Sequence, residues 1–445
     1  MPPRKSTVLA PAPAGKLAPG HRLPRETVAA SQRERLLIAT LELVQRQGYP
    51  ATSVAELTAR AAVSRAAFYE HFANKEECFL AAYEEMTARG AARILTAYRA
   101  PDLDWNAQLR AALDAYLHHA QTWPAGVYIC IADALSAGPR AVQLRAQTML
   151  ACERMVERCF AEAPDHAPLS PNLARALVGG IIRVTYALVR DERVSELPEM
   201  LEQLETWMLA CRHPPVSTKK KSAASRKKSP GKPAANAPAQ IPTSPSESPA
   251  DEQRARIIDA VVELASSKGY AEMTHQQIAA HAGVSYTTFY KHFENKQEAL
   301  LGAYDAGAQR IVEAVVAAAA AAPDWPTALR NGLGAALQTL ADAPAIARVR
   351  VIEITKLGPP GFQRLDSTLA AYDALLGPGY EQAPGLSRIL TEAILGAVTE
   401  VVYHYAQLER EDELPSLLGE LTYIALAPFI GSEEAARVAG GGTEG

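Results

Sequence analysis

Cysteine is scarce and unevenly placed: Cys78, Cys130, Cys152, Cys159 and Cys211 are the only five, all in the first half of 445 residues. An odd number with no C-x-x-C pair argues against a disulfide framework or a structural zinc site. Reduced thiols in a cytoplasm are the default expectation. Aromatics make up only 6% of the chain while Ala is abundant, which favours helices over sheet. Long apolar runs are missing. Ala314–Ala322 is the longest and is too short and Ala-rich to span a bilayer. Pro breaks the N-terminus too often for a signal peptide. The formal net charge is -4, so no global basic field announces a polyanion. No Ser/His/Asp order, metal-ligand spacing, P-loop or Gly-rich dinucleotide turn is present, so no enzyme, cofactor or metal is expected. His118-His119 and the Cys152/Cys159 pair have generic spacing and suggest no metal or redox sensor.

What the sequence does have is a repeat. Val63-Ser64-Arg65-Ala66-Ala67-Phe68-Tyr69-Glu70-His71-Phe72-Ala73-Asn74-Lys75 returns 221 positions on as Val284-Ser285-Tyr286-Thr287-Thr288-Phe289-Tyr290-Lys291-His292-Phe293-Glu294-Asn295-Lys296, with eight of thirteen residues identical. Spacing near half the chain length implies a duplicated domain.

The repeated stretch describes two short helices. Ser64 can cap the first, because its hydroxyl accepts from an orphan backbone N–H. Phe68 and Phe72, four apart, share one buried face. Arg65, Ala66, Tyr69 and Glu70 are left on the open side. Asn74 with Glu77, and Asn295 with Glu298, read as capping boxes for the next helix. Lys75 and Lys296 fall in that helix's first turn, where a cation opposes the helix dipole unless a phosphate approaches. Upstream, Val54 and Leu57 give a turn of apolar spacing, as does Ile278. A tight turn follows at Ala61-Ala62-Val63 and Ala282-Gly283-Val284. This is helix-turn-helix geometry.

Both copies resemble the TetR family of bacterial transcriptional regulators. The resemblance rests on Gly48-Tyr49, Ser53-Val54, Ala61-Ala62-Val63-Ser64, Phe68-Tyr69, His71-Phe72 and Asn74-Lys75. The second copy matches at Gly269-Tyr270, Ala282-Gly283-Val284-Ser285, Phe289-Tyr290, His292-Phe293 and Asn295-Lys296. It covers about 45 residues per copy; the remaining roughly 140 resemble the family in length and helical pattern alone.

The expected fold is all-α: two tandem units, each a helix-turn-helix head on a helical bundle. Residues 1–30 read as a disordered basic arm and 31–76 as the first head, whose first helix starts near a Ser31/Glu34 capping box. Residues 77–213 form the first ligand and dimerisation domain. Residues 214–250, with seven Lys/Arg, one Glu and eight prolines, form a linker spanning roughly 35 Å as a coil. The second head is 251–297, its bundle 298–432, and 433–445 a disordered tail. Leu197-Pro198 is answered by Leu414-Pro415, so the duplication extends to the end of each copy. Helix breaks are expected at Pro101, Pro124, Gly138-Pro139, Pro198 and after Leu376.

The resemblance implies a partner, double-stranded DNA, and roles for residues. Arg65, Ala66, Tyr69 and Glu70, with Tyr286, Thr287, Tyr290 and Lys291, would read bases. Thr52, Ser53, Ser64, His71 and Lys75, with Thr274, Ser285, Thr288, His292 and Lys296, would hold phosphates, and Tyr69 and Tyr290 would share in this. Glu70 departs from the pattern, since a carboxylate near phosphates is repulsive. In the family the last two long helices make the dimer interface. Here Leu173, Leu177, Ile181, Val184 and Leu188 supply the apolar stripe, and Gly179-Gly180 would permit close approach. Because the recognition faces differ, pairing within the chain would give a repressor for an operator with unlike half-sites. A homodimer with four heads and a nonspecific architectural DNA protein are the alternatives. A small apolar effector would be lined by Trp105, Tyr116, His119, Trp123, Tyr128, Met149 and Tyr186, with Trp207. The expected place of action is the cytoplasm, on the nucleoid, with no membrane association.

Overall fold

The computed structural model describes residues 24–164, 168–211, 248–367 and 369–441. The expectations for a basic arm before residue 24, for the linker over 212–247 and for the last residues of the tail lie outside them. Among the described residues the chain is helical throughout, with no strand.

The first copy runs α1 (Arg25–Gln47), α2 (Val54–Ala61), α3 (Arg65–His71), α4 (Lys75–Tyr98), α5 (Trp105–Thr122) and α6 (Pro124–Tyr128). A π-helical turn, Ile129–Asp133, leads to α7 (Ala134–Ser136), then α8 (Pro139–Ala161) and α9 (Pro171–Arg190). A 3-10 turn, Val194–Met200, enters α10 (Leu201–Ala210). The second copy repeats this as α11 (Pro249–Lys268), α12 (His275–His281), α13 (Tyr286–His292), α14 (Lys296–Ala320), α15 (Trp325–Asp342) and α16 (Pro344–Arg348). The π turn recurs at Val349–Glu353, followed by a 3-10 turn, Ile354–Leu357. Then come α17 (Pro359–Ser367), α18 (Leu369–Gln382), α19 (Ile389–Gln407), a 3-10 turn (Glu411–Leu417), α20 (Leu418–Ile430) and α21 (Ser432–Ala439).

Four expectations need correction. Ser31 is not a cap: α1 already begins at Arg25 behind Pro24, whose fixed φ and missing N–H suit a helix start. Residues 25–30 are therefore helix, not arm. The helix of the second head likewise starts inside the expected linker, at Pro249, where the Ser248 side chain accepts from the Asp251 N–H. The tail is ordered as far as α21, because Ala435, Val438 and Ala439 are buried and Arg437 pairs with Glu434. The helix after Leu376 does not stop at Gly377-Pro378; α18 carries Pro378 inside it.

Two compact units result. The first contains residues up to Arg212 together with Ile354–His404 and Ile424–Ser432; the second contains the rest of the second copy. In the first unit α9 crosses α19 backbone to backbone. A Cβ on Gly179 would lie 2.6 Å from Glu400 Cβ and 2.8 Å from the Gly396 carbonyl oxygen. A Cβ on Gly396 would lie 2.3 Å from Arg183 Cβ and 2.7 Å from the Gly179 oxygen. Positions 179 and 396, like 183 and 400, are 217 apart, the spacing of Pro198 and Pro415. Each helix therefore meets the other through equivalent residues, the signature of a two-fold relation. Trp207, fully buried, donates its indole N–H to the Ile424 carbonyl at 3.1 Å, and Ile424 is its own counterpart 217 positions on. By length and composition α9 could cross a membrane (mean hydropathy 1.3), but 83% of that stretch is buried in the protein, as a core helix requires.

Gly179→Val should destabilise the chain by about 3 kcal/mol, because backbone atoms oppose the added methyls. Gly377→Ala, whose Cβ would meet nothing within 4 Å, should be neutral or stabilising by up to about 1 kcal/mol. Chemical denaturation compares them; equal midpoints for the two variants would refute the tight crossing.

Candidate DNA-binding site

In each head a buried pair of phenylalanines fixes the third helix. Phe68 and Phe289 are fully buried, with Phe72 and Phe293 beside them at centroid distances of 5.9 and 6.1 Å. The turn between the second and third helices needs a left-handed residue. Ala62 adopts φ +50° in the first copy, and Gly283 adopts φ +62° in the second. Ser64 and Ser285 cap the third helices as expected, accepting from the N–H of Ala67 at 3.1 Å and of Thr288 at 3.0 Å.

The opposite face of each helix is open. Tyr69 is 48% exposed, Tyr286 50% and Tyr290 43%, unusual for large rings without a partner surface. Arg65, Ala66, Glu70, Thr287 and Lys291 are exposed beside them. The Arg65 guanidinium lies 5.8 Å from the Tyr69 ring centre. In the second head the Tyr286 and Tyr290 hydroxyls are 3.1 Å apart, and His275 stacks on Tyr290 with centroids 5.6 Å apart. All eight expected base readers therefore share one exposed face per head.

The expected phosphate holders divide. Ser53 and Thr274 are exposed and form the true capping boxes of the second helices, with Glu56 and Gln277. Ser64, Ser285 and Thr288 line the helix starts. His71 and His292 are half-buried, each 3.4 Å from a first-helix glutamine, Gln32 and Gln253. Thr52 is buried and donates to the Gly48 carbonyl at 2.9 Å, which removes it from any phosphate. The Asn74 and Asn295 caps form, but the boxes do not close. Glu77 accepts from Arg140, and Glu298 accepts from the Glu294 N–H rather than from Asn295.

Lys75 and Lys296 turn inward. Lys75 Nζ donates to the Tyr49 carbonyl at 2.9 Å and sits 4.2 Å from the Tyr49 ring centre. Lys296 Nζ donates to the carbonyls of Tyr270 at 3.0 Å, Ala271 at 3.3 Å and Met273 at 3.0 Å, and sits 4.5 Å from the Tyr270 ring. Burial lowers both pKa values. The conflict with the helix dipole is resolved by turn carbonyls within the protein. On the other side of the same turn, the Tyr49 N–H donates to Asp133 at 3.2 Å and the Tyr270 N–H to Glu353 at 2.7 Å. Both carboxylates end π-helical turns, where local helical widening re-aims a side chain. Gln32, Gln253, His275, Asp133 and Glu353 were all missed by sequence reasoning. The first-helix glutamines stand 221 apart and were visible in the repeat; the carboxylates, 220 apart, fall one position out of that register.

Sequence comparison places these heads. The description "Bacterial regulatory proteins, tetR family" matches residues 36–82 and again 257–303. The chain is a tetR-family protein with two tandem copies. It is a DNA-binding transcriptional regulator. One relative of this tetR protein, the HTH-type transcriptional activator FasR of Mycolicibacterium smegmatis, is 28% identical over 173 residues, which is 39% of this chain and 75% of FasR. Among solved structures, the fatty acid degradation regulator FadR from Bacillus halodurans aligns at 23% identity and TM-score 0.38, covering 42% of this chain and 99% of its own. FadR from Bacillus subtilis in complex with stearoyl-CoA aligns at 20% and TM-score 0.36, covering 39% and 97%.

The expected effector lining is dispersed. Trp105 packs on Phe160 and donates to the Cys159 carbonyl at 2.7 Å. His119 lies against Gly90, and burial lowers its pKa. Tyr116 donates to Thr185 at 3.1 Å, Tyr128 meets Tyr186 edge-on at 5.6 Å, and Met149 is buried on α8. Trp123 alone of the seven lines a groove of about 280 Å³ between α1 and α4, with Leu37, Ile38, Leu41 and Met86 as its floor. Core packing accounts for the other six. Among the described residues no group of His, Cys, Asp and Glu could hold a metal ion.

Lys296→Met should cost about 1–2 kcal/mol of stability, the scale of a charged hydrogen bond, and leave the salt dependence of DNA binding unchanged. A salt slope flatter by about one unit with unaltered stability would return this lysine to the phosphates.

Proposed function

We propose that the two heads of this tetR protein act as one unit, paired within a single chain, and occupy an operator with two unlike half-sites as a repressor. The observation that supports this most is the crossing of α9 and α19 through equivalent glycines, with Trp207 on Ile424 as its second contact. A duplex offers half-sites one helical turn apart, about 34–36 Å, so two recognition helices are required. Pairing two non-identical copies supplies two non-identical readers. Arg65 grips guanine bidentately, and the methyl group of Thr287 meets thymine. Tyr69, Glu70, Tyr290 and Lys291 complete the two faces. Ser53, Ser64, His71, Thr274, Ser285, Thr288 and His292 set register on the backbone. The expected division into two heads, each followed by a helical bundle, is retained in this reading with the boundaries corrected above. A small apolar effector belongs in the groove beside Trp123. It would touch α1 of the head and α4 of the body together, so its binding would bear on the head. Action in the cytoplasm, on the nucleoid and without catalysis, completes the reading.

Binding-site selection with the full chain should return two different half-sites. Arg65→Ala should relax preference in one half alone, by about 1–3 kcal/mol, and Thr287→Ala in the other. A perfect palindrome would overturn the reading. A reporter placed behind the selected operator should fall when the chain is expressed; a rise would make this protein an activator, as FasR is named.

A further inference from the structure

We infer that the buried charges at the α9/α19 crossing encode which copy pairs with which, so that the first copy accepts only a seam helix bearing carboxylates and neither copy pairs with itself. This rests on the pairing reading above and names the partner chemistry that the seam selects.

On α9 stand Arg175 and Arg183; 217 positions on, α19 carries Glu392 and Glu400. The sign of the charge is reversed at both equivalent positions, while the crossing glycines are the same. Arg183 donates through Nε to Glu392 at 2.7 Å and through Nη2 to Asp366 of α17 at 2.5 Å. Arg190, two helical turns further, reaches Asp366 at 2.9 Å. Across the crossing, Arg145 of α8 donates to both carboxylate oxygens of Glu400, at 2.8 and 3.3 Å. Arg175 is held by Glu153 at 2.7 and 2.9 Å. The side chains of Arg145, Arg183, Asp366, Glu392 and Glu400 are only 7–16% exposed. Burial opposes the charge on Arg183 and Arg145, and the facing carboxylates more than restore it.

The two-fold relation makes the alternatives explicit. Position 183 meets the counterpart of position 175. Were the second copy replaced by another first copy, Arg183 would meet Arg175, twice over. Were the first replaced by another second copy, Glu400 would meet Glu392, twice over. The glycine crossing would still fit in shape, so geometry alone does not discriminate; charge does. Buried like charges are far more unfavourable than exposed ones, and a built-in repulsion against the wrong partner is how related interfaces are kept apart. An ordinary homodimeric seam cannot use this device against self-pairing, since its two halves are identical and must accept each other. A duplicated chain can, once its copies have diverged.

Charge exchange in the full chain tests this. R183E/R190E and D366R/E392R should each lower the melting midpoint by roughly 10 °C and open the seam, seen as expansion in small-angle scattering. R183E/R190E/D366R/E392R should recover most of the loss. Each half-exchanged chain should also gain a two-chain form, because the carboxylate of R183E then faces Arg175 of a second chain and the guanidinium of E392R faces Glu400 of a second chain. A four-fold variant no better than the sum of its halves overturns the inference, as do half-exchanged chains that both stay single at every concentration. A two-chain native mass with full recovery in the four-fold variant would overturn pairing in cis and leave the charge code standing. A one-chain mass without recovery would do the reverse.

Discussion

The close passage of α9 over α19 is the constraint on which the first unit depends. Two helices whose backbones come within contact distance need a residue with no side chain at the crossing, and both have one, Gly179 and Gly396. That contact brings Arg183 beside Glu392 and Glu400 beside Arg145. Were either partner of these pairs missing, the crossing would bury a lone charge, a state more costly than any of the individual contacts is favourable. The crossing and the ion pairs are therefore one feature. The first makes room, and the second fixes who may enter.

The heads depend on a smaller device, used twice. The turn after the first helix presents carbonyls to a lysine and an N–H to a carboxylate, Lys75 and Asp133 in one copy, Lys296 and Glu353 in the other. The lysine opens the fourth helix, and the carboxylate ends a π-helical turn in the body. Each head is thus fastened to its own bundle at a point where any shift of the π turn pulls on the first helix. His275 adds a difference between copies: it stacks on Tyr290 and accepts from the Lys296 N–H at 3.1 Å, while Val54 stands there in the first copy. The second recognition face is therefore the more braced of the two.

Much of this was legible in the sequence because it was written twice. Phe68 and Phe289, the serine caps and the exposed tyrosines follow from spacing and from the chemistry of each side chain, and the repeat removes the ambiguity of a single aromatic stripe. The all-α fold followed from composition and from the Pro and Gly breaks. What was not legible depends on residues distant in sequence. The inward turn of Lys75 needs the Tyr49 carbonyl, 26 residues away. The carboxylate ties arise from π turns, which no local pattern announces. The dispersal of Trp105, Tyr116 and Tyr128 reflects partners on α8 and α9 that periodicity does not identify. Helix ends were read too conservatively at Ser31 and in the tail, since Ala-rich flanks extend helices past the nearest capping residue.

The central claim is that one polypeptide supplies both halves of the DNA grip. Native mass spectrometry of the chain bound to its selected operator measures this directly. One chain per duplex is the predicted stoichiometry, unchanged as protein concentration rises towards saturation of the operator. Two chains per duplex, with no one-chain complex at any concentration, would contradict it.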